Sequence, residues 1–79
     1  MAIDHRKALD LARDGQWDEA HRLVQSAIDP LSCQIHAWLH RVEGDDWNAR
    51  YWYNRANRVM PDNSQEEELE RLTRLVDNL

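Results

Sequence analysis

Gly44-Asp45-Asp46-Trp47-Asn48-Ala49-Arg50-Tyr51-Trp52-Tyr53-Asn54-Arg55-Ala56 is the stretch whose reading decides the fold. A glycine adopts without cost the positive φ that closes a preceding helix, and Asp45 or Asp46 can accept the orphan amide hydrogens of the next one. The run therefore reads as a turn that opens a helix. At about 100° per residue, Trp52, Tyr53, Ala56, Val59 and Met60 share one broad face with Ala49, while Tyr51, Asn54 and Arg58 fall opposite. The first face is core; the second is richer in aromatic and basic groups than a solvated face requires.

Outward from this helix, expected over 46–59, the chain divides by its breakers. Upstream, Gly44 stops a helix over 31–43 that Pro30 can open, because a proline in the first turn loses no intrahelical hydrogen bond. Downstream, Pro61-Asp62-Asn63 breaks the chain, and Ser64 with Glu67 has the spacing of a capping box for a helix over 64–78. Leu69, Leu72, Leu75, Val76 and Leu79 give that helix an apolar stripe. At the N-terminal end, Ile3, Ala8, Leu11 and Ala12 mark a helix over 3–14, closed by Gly15. A helix over 17–28 follows, with Asp18 and Glu19 in its first turn and Ala20, Leu23, Val24, Ala27 and Ile28 on its apolar side, and Asp29-Pro30 ends it. The expectation is an all-α domain of five helices spanning residues 1–79.

The chain has 79 residues, enough for one domain that removes roughly 60–65% of its unfolded surface from water. Its four tryptophans then matter, since each large ring can bury about 200 Å². A net charge of −5 argues against nucleic acid or an acidic membrane surface as partner. Charge is unevenly spread: Arg41, Arg50, Arg55 and Arg58 lie among Glu43, Asp45 and Asp46, whereas the last nineteen residues hold Asp62, Glu66, Glu67, Glu68, Glu70 and Asp77 against Arg71 and Arg74. Cys33 is the only cysteine, so no internal disulfide forms and a reducing compartment is expected. Charged residues Asp4, Arg6, Lys7 and Asp10 interrupt any signal-peptide core, and no apolar run is long enough to span a bilayer. These features point to the cytoplasm.

An internal repeat organises the first four helices. Gly15, Trp17, Ala20, Val24 and Ala27 recur at an offset of 29 residues as Gly44, Asp46, Ala49, Tyr53 and Ala56. With Pro61, the second copy resembles the tetratricopeptide repeat, and Ala49 to Ala56 is also similar to the Sel-like repeat. The first copy departs from the pattern at Val24, where the family has an aromatic, and at Pro30, which arrives two residues early. The resemblance implies two helical hairpins, each needing a neighbour to cover its second face, with the fifth helix as cap. A second likeness, carried by His36-Ala37-Trp38-Leu39-His40-Arg41-Val42-Glu43-Gly44-Asp45 and the aromatic run that follows, is to small uncharacterised helical proteins of bacteria and fungi. It implies a functional polar cluster and brings no activity with it.

Two candidate sites follow. Repeat register places His5, Leu9 and Arg13 of the first helix beside Gln34, Trp38 and Arg41 of the third, where an inner groove would receive a protein or peptide partner. Register also aims Cys33, His36, Ala37 and His40 at the fourth helix, while Leu31, Ile35, Trp38, Leu39 and Val42 form the opposite apolar face. His36, His40 and Glu43 share one side, and residues four apart have Cβ atoms roughly 5–6 Å apart. Hydrogen-bonded core histidines are the commoner use of such a pair. The functional alternative is a small polar or anionic ligand held by His36, His40, Arg41, Glu43, Tyr51 and Arg55. No metal site is expected, because Cys33, Glu43 and His21 do not complete any recognised four-ligand spacing. No cofactor motif and no nucleophile with its base occurs, which argues against an enzyme. Arg50, Tyr51, Trp52, Tyr53, Arg55 and Arg58 suit single-stranded RNA by composition, yet Trp52 and Tyr53 belong to the core face. The sequence thus favours a protein-interaction module, with apolar surface left on the first helix for a partner or a second copy, and a ligand-binding or metal-binding protein as the alternative.

Overall fold

In the computed structural model, which describes residues 3–79, five helices follow one another: α1 (His5–Arg13), α2 (Trp17–Val24), α3 (Pro30–Val42), α4 (Asp46–Arg55) and α5 (Gln65–Asp77). No strand occurs among the described residues. Four of the five starts carry a side-chain cap, and only α2, which begins after Gln16, does not. Asp4, Asp29 and Asp45 accept the amide hydrogens of Lys7, Ser32 and Asn48, and Ser64 and Glu67 complete the capping box of α5. The helix ends are equally local. Gly15 (φ 78°), Gly44 (φ 85°) and Asn57 (φ 64°) are left-handed, and the amides of Gln16, Asp45 and Arg58 reach back to the carbonyls of Leu11, His40 and Tyr53.

Three helices are shorter than expected, and α1 begins at His5 rather than 3 because Asp4 serves as its cap. α4 stops at Arg55 rather than 59 because Asn57 takes the left-handed turn that glycine takes elsewhere, which leaves Val59 86% exposed while Met60 returns to the core. α2 stops at Val24 rather than 28, and Ile28 is 77% exposed. The residue before a proline is disfavoured in the helical region, so Asp29 is extended (ψ 149°) and caps α3.

Helix α3 is the axis of the molecule. It packs on each of the other four helices, and residues Ser32 to His40 are buried without a break. One side meets Ala8, Leu9, Ala20, Val24, Leu72 and Val76 in the main core. On its other side Ala37 meets Ala49 and Tyr53, the small residues letting α3 and α4 approach closely. α1 packs on α2 and α3 on α4, as two hairpins. The fifth helix lies across α1 and α3 and closes a body measuring 27 × 24 × 22 Å, a globule rather than an elongated array.

A buried carboxylate fixes that closure. Glu68 is fully buried and accepts hydrogen bonds from Tyr53 Oη (2.7 Å), Asn63 Nδ2 (3.0 Å) and Arg71 Nε (2.8 Å) and Nη2 (2.7 Å). Arg71 also donates to Gln34 Oε1, so one network spans α3, α4 and α5. Burial alone would raise the Glu68 carboxyl, but the bonds from Arg71, Asn63 and Tyr53 outweigh it and hold the group below its ordinary value. Burial pushes the Tyr53 hydroxyl up. The acidic run thus divides: Glu66 and Glu67 are exposed in the first turn of α5, where the helix dipole favours them, and Glu68 is core.

Candidate functional site

The expected inner groove is filled from within. Leu9 (2% exposed) and Trp38 (5% exposed) belong to the core that Leu72 and Val76 complete. Trp38 Nε1 donates to the Gln65 carbonyl (2.9 Å), Arg13 Nη2 to Thr73 Oγ1 (2.8 Å), Arg71 to Gln34, and Arg41 to Asn63 Oδ1 (2.9 Å). His5 is held by Asp29 and Ser32 through its Nε2. Helix α5 and its lead-in therefore occupy the place reserved for a peptide, beside an open pocket of about 230 Å³ bounded by Ala12, Trp38, Val42, Gln65 and Leu69. The apolar surface expected to remain on α1 is covered too. Among the described residues the exposed large apolar side chains are Ile28, Val42, Trp47, Tyr51, Val59, Leu75 and Leu79, none of them on α1.

The six expected ligand-binding residues do not converge. Arg41 donates to the side chain and carbonyl of Asn63, in the turn before α5, and to neither histidine. Tyr51 is 44% exposed and accepts a hydrogen bond from Arg55 Nη1 (3.1 Å), whose guanidinium also lies 5.8 Å from the Tyr51 ring centre and 5.2 Å from that of Trp52. Only His36, His40 and Glu43 stay together. His40 Nδ1 donates to Glu43 Oε1 at 2.5 Å, and its Nε2 takes part in no hydrogen bond among the described residues.

What joins them is His21 of α2, which the spacing arguments set aside. The ring centres of His21, His36 and His40 are 4.6, 5.4 and 5.0 Å apart, and one ring nitrogen from each lies within 4.8 Å of the other two. Two tryptophans enclose the trio: Trp17 stacks on His21 at 4.8 Å and Trp52 on His36 at 3.9 Å. Trp17 is itself pinned by its Nε1–H to the Leu39 carbonyl (2.7 Å). His36 is 3% exposed and His40 9%, whereas His21 is half-buried and forms the outer member. Burial, then the neighbouring His21 and His40, push His36 down to about 3, and burial with His40 lowers His21, so both are neutral imidazoles at pH 7. Buried Nδ1 of His36 has no hydrogen-bond partner. The signal for this trio lay in spacing shared by two elements, since Trp17 and His21 on α2 and His36 and His40 on α3 are both pairs four apart.

A second feature faces outward. On α4, Trp47 is 72% exposed and stacks with Tyr51, their ring centres 6.3 Å apart and planes within 9°. Arg50 and Asn54 complete the walls of an open pocket of about 220 Å³. Arg50, Arg55 and Arg58 take part in no ion pair among the described residues. Cys33 is buried, and burial raises its thiol, which leaves it an inert core side chain.

No family model matches this sequence, and no curated protein or solved structure does. No helix among the described residues is long and apolar enough to cross a membrane.

Proposed function

We propose that this domain is a tetratricopeptide-like protein-interaction module that receives an acidic segment of a partner protein on the outward face of α4. The observation that carries the reading is the exposed Trp47–Tyr51 stack flanked by Arg50 and Arg55. Aromatic and arginine side chains supply most of the energy at protein interfaces, because a ring or guanidinium plane buries large area at small entropic cost. Charge gives the direction. The chain carries −5 overall, yet this face presents unpaired arginines, so a partner of complementary charge is drawn to α4 and repelled from the glutamates of α5. The 29-residue offset, with matching glycine turns after α1 and α3, supports the repeat reading. A reducing cytoplasm suits the single buried thiol.

Two variants test the proposal. Trp47→Ala and Arg50→Glu alter only exposed groups, so both should fold like the parent by circular dichroism. A partner captured by the parent chain and identified by mass spectrometry should bind in direct titration through an acidic peptide, with affinity reduced at least about tenfold by either change, the size expected of an interface anchor. Equal binding by Trp47→Ala, or a partner that docks through a basic segment, overturns it. Sedimentation of the parent chain tests whether the partner is a second copy.

A further inference from the structure

We propose that His21, His36 and His40 form a binding site for one transition-metal ion of the zinc class, with at least one coordination position left for water or an incoming ligand. This site is separate from the α4 face and does not depend on it. Three observations carry it. First, the donor atoms already converge: one nitrogen from each ring lies within 4.8 Å of the others, on two packed helices. Zinc–imidazole bonds of about 2.0–2.1 Å at tetrahedral angles need nitrogens about 3.4 Å apart, so the rings close on the ion by small side-chain rotations rather than by backbone movement.

Second, the trio is under-satisfied as a packed core. Its three rings carry two nitrogens each, and hydrogen bonds among the described residues engage His40 Nδ1 alone. Nδ1 of His36 is buried with no protein partner, and such an orphan in a native interior calls for a bound water or ion to satisfy it. Third, the surroundings are those of a metal site and not of an anion site. The three imidazoles are flanked by carboxylates, Glu43 on His40 Nδ1 and Asp45 close by, and by no arginine or lysine within hydrogen-bond reach. A carboxylate that accepts the second N–H of a ligating histidine fixes its tautomer, raises its basicity and offsets part of the ion's charge. The stacked rings of Trp17 and Trp52 hold His21 and His36 in orientation. Borderline nitrogen donors without thiolate favour zinc, cobalt, nickel or copper(II) over magnesium or calcium. His21, the half-buried member, lies on the side from which an ion would enter.

The experiment is a calorimetric titration of the metal-free full chain with zinc chloride at pH 7.5, with cobalt chloride as a spectroscopic probe. The expected result is one zinc per chain and, on cobalt, visible bands of a four- or five-coordinate ion. With a Kd near 1 μM, 100 μM zinc should raise the thermal midpoint by about 10 °C or more. His21→Ala removes a half-buried ligand and should keep the fold while weakening zinc at least about tenfold. His5→Ala, at a histidine held elsewhere by Asp29, should bind zinc as the parent does. Absence of binding at 100 μM zinc, parent-like affinity in His21→Ala, or loss of binding in His5→Ala each overturns the assignment.

Discussion

Glu68 and His36 show at single-residue scale how differently two buried polar groups are treated. Every oxygen of Glu68 is engaged, by Tyr53, Asn63 and Arg71, whereas one nitrogen of His36 has no partner. A buried carboxylate left unpaired would cost several kcal/mol, so the network is what permits a charge in the core. Glu68→Gln should therefore destabilise the domain by about 1.5–3 kcal/mol at pH 7, the worth of hydrogen bonds to a charged group. The pH dependence has a definite sign. Because the folded-state value of Glu68 is depressed, its contribution is fully present above the ordinary glutamate range, near pH 4.5, and is lost as pH falls through the lower folded value. Urea unfolding of parent and variant should accordingly show a gap that is constant from pH 7 to about 5 and narrows below that. A gap that widens on acidification would show that Glu68 is not the stabilised carboxylate described above.

At the scale of elements, α5 separates an apolar stripe from the part of it that is buried. The sequence places Leu72, Leu75, Val76 and Leu79 together, but Leu72 is fully buried, Val76 9% exposed, Leu75 39% and Leu79 84%. A helix laid across two others is covered over one arc only, and Leu75 falls at its edge. Leu72→Ala should cost about 2–4 kcal/mol by urea unfolding, the range for buried leucine truncation, and Leu75→Ala less than about 1 kcal/mol. Equal losses would place α5 in a different rotation about its axis. The ends of α2 and α4 carry the same lesson. Asn57 closes α4 because its short side chain tolerates positive φ, an option weaker in sequence than the glycines that close α1 and α3.

For the molecule as a whole, α5 completes the fold. It covers Leu9 and Trp38, supplies Leu72 and Val76 to the main core, and provides the carboxylate on which Tyr53 closes. A chain ending at Met60 would expose these side chains and leave two short hairpins with too little buried area for a domain of this size. The expected result is loss of the cooperative thermal transition and of the near-ultraviolet tryptophan signal. A cooperative transition near the parent midpoint would show that four helices suffice.

What the sequence by itself determined is local: five helices in order, their glycine, proline and aspartate boundaries, the capping box of α5, and the small residues Ala37 and Ala49 where α3 and α4 meet. Caps, turns and apolar periodicity act within a few residues, so they are readable from a few residues. Tertiary structure alone decided where α5 goes, and with it the fate of the inner groove, since an amphipathic stripe states that it will be covered but not by what. It also decided which polar groups meet. Arg41 shares α3 with His36 and His40, and Tyr51 and Arg55 lie on the neighbouring α4, yet all three point elsewhere, while His21, fifteen residues upstream of His36, arrives beside them because α2 packs on α3. Spacing along one helix fixes an angle; only the packing of two helices fixes a distance.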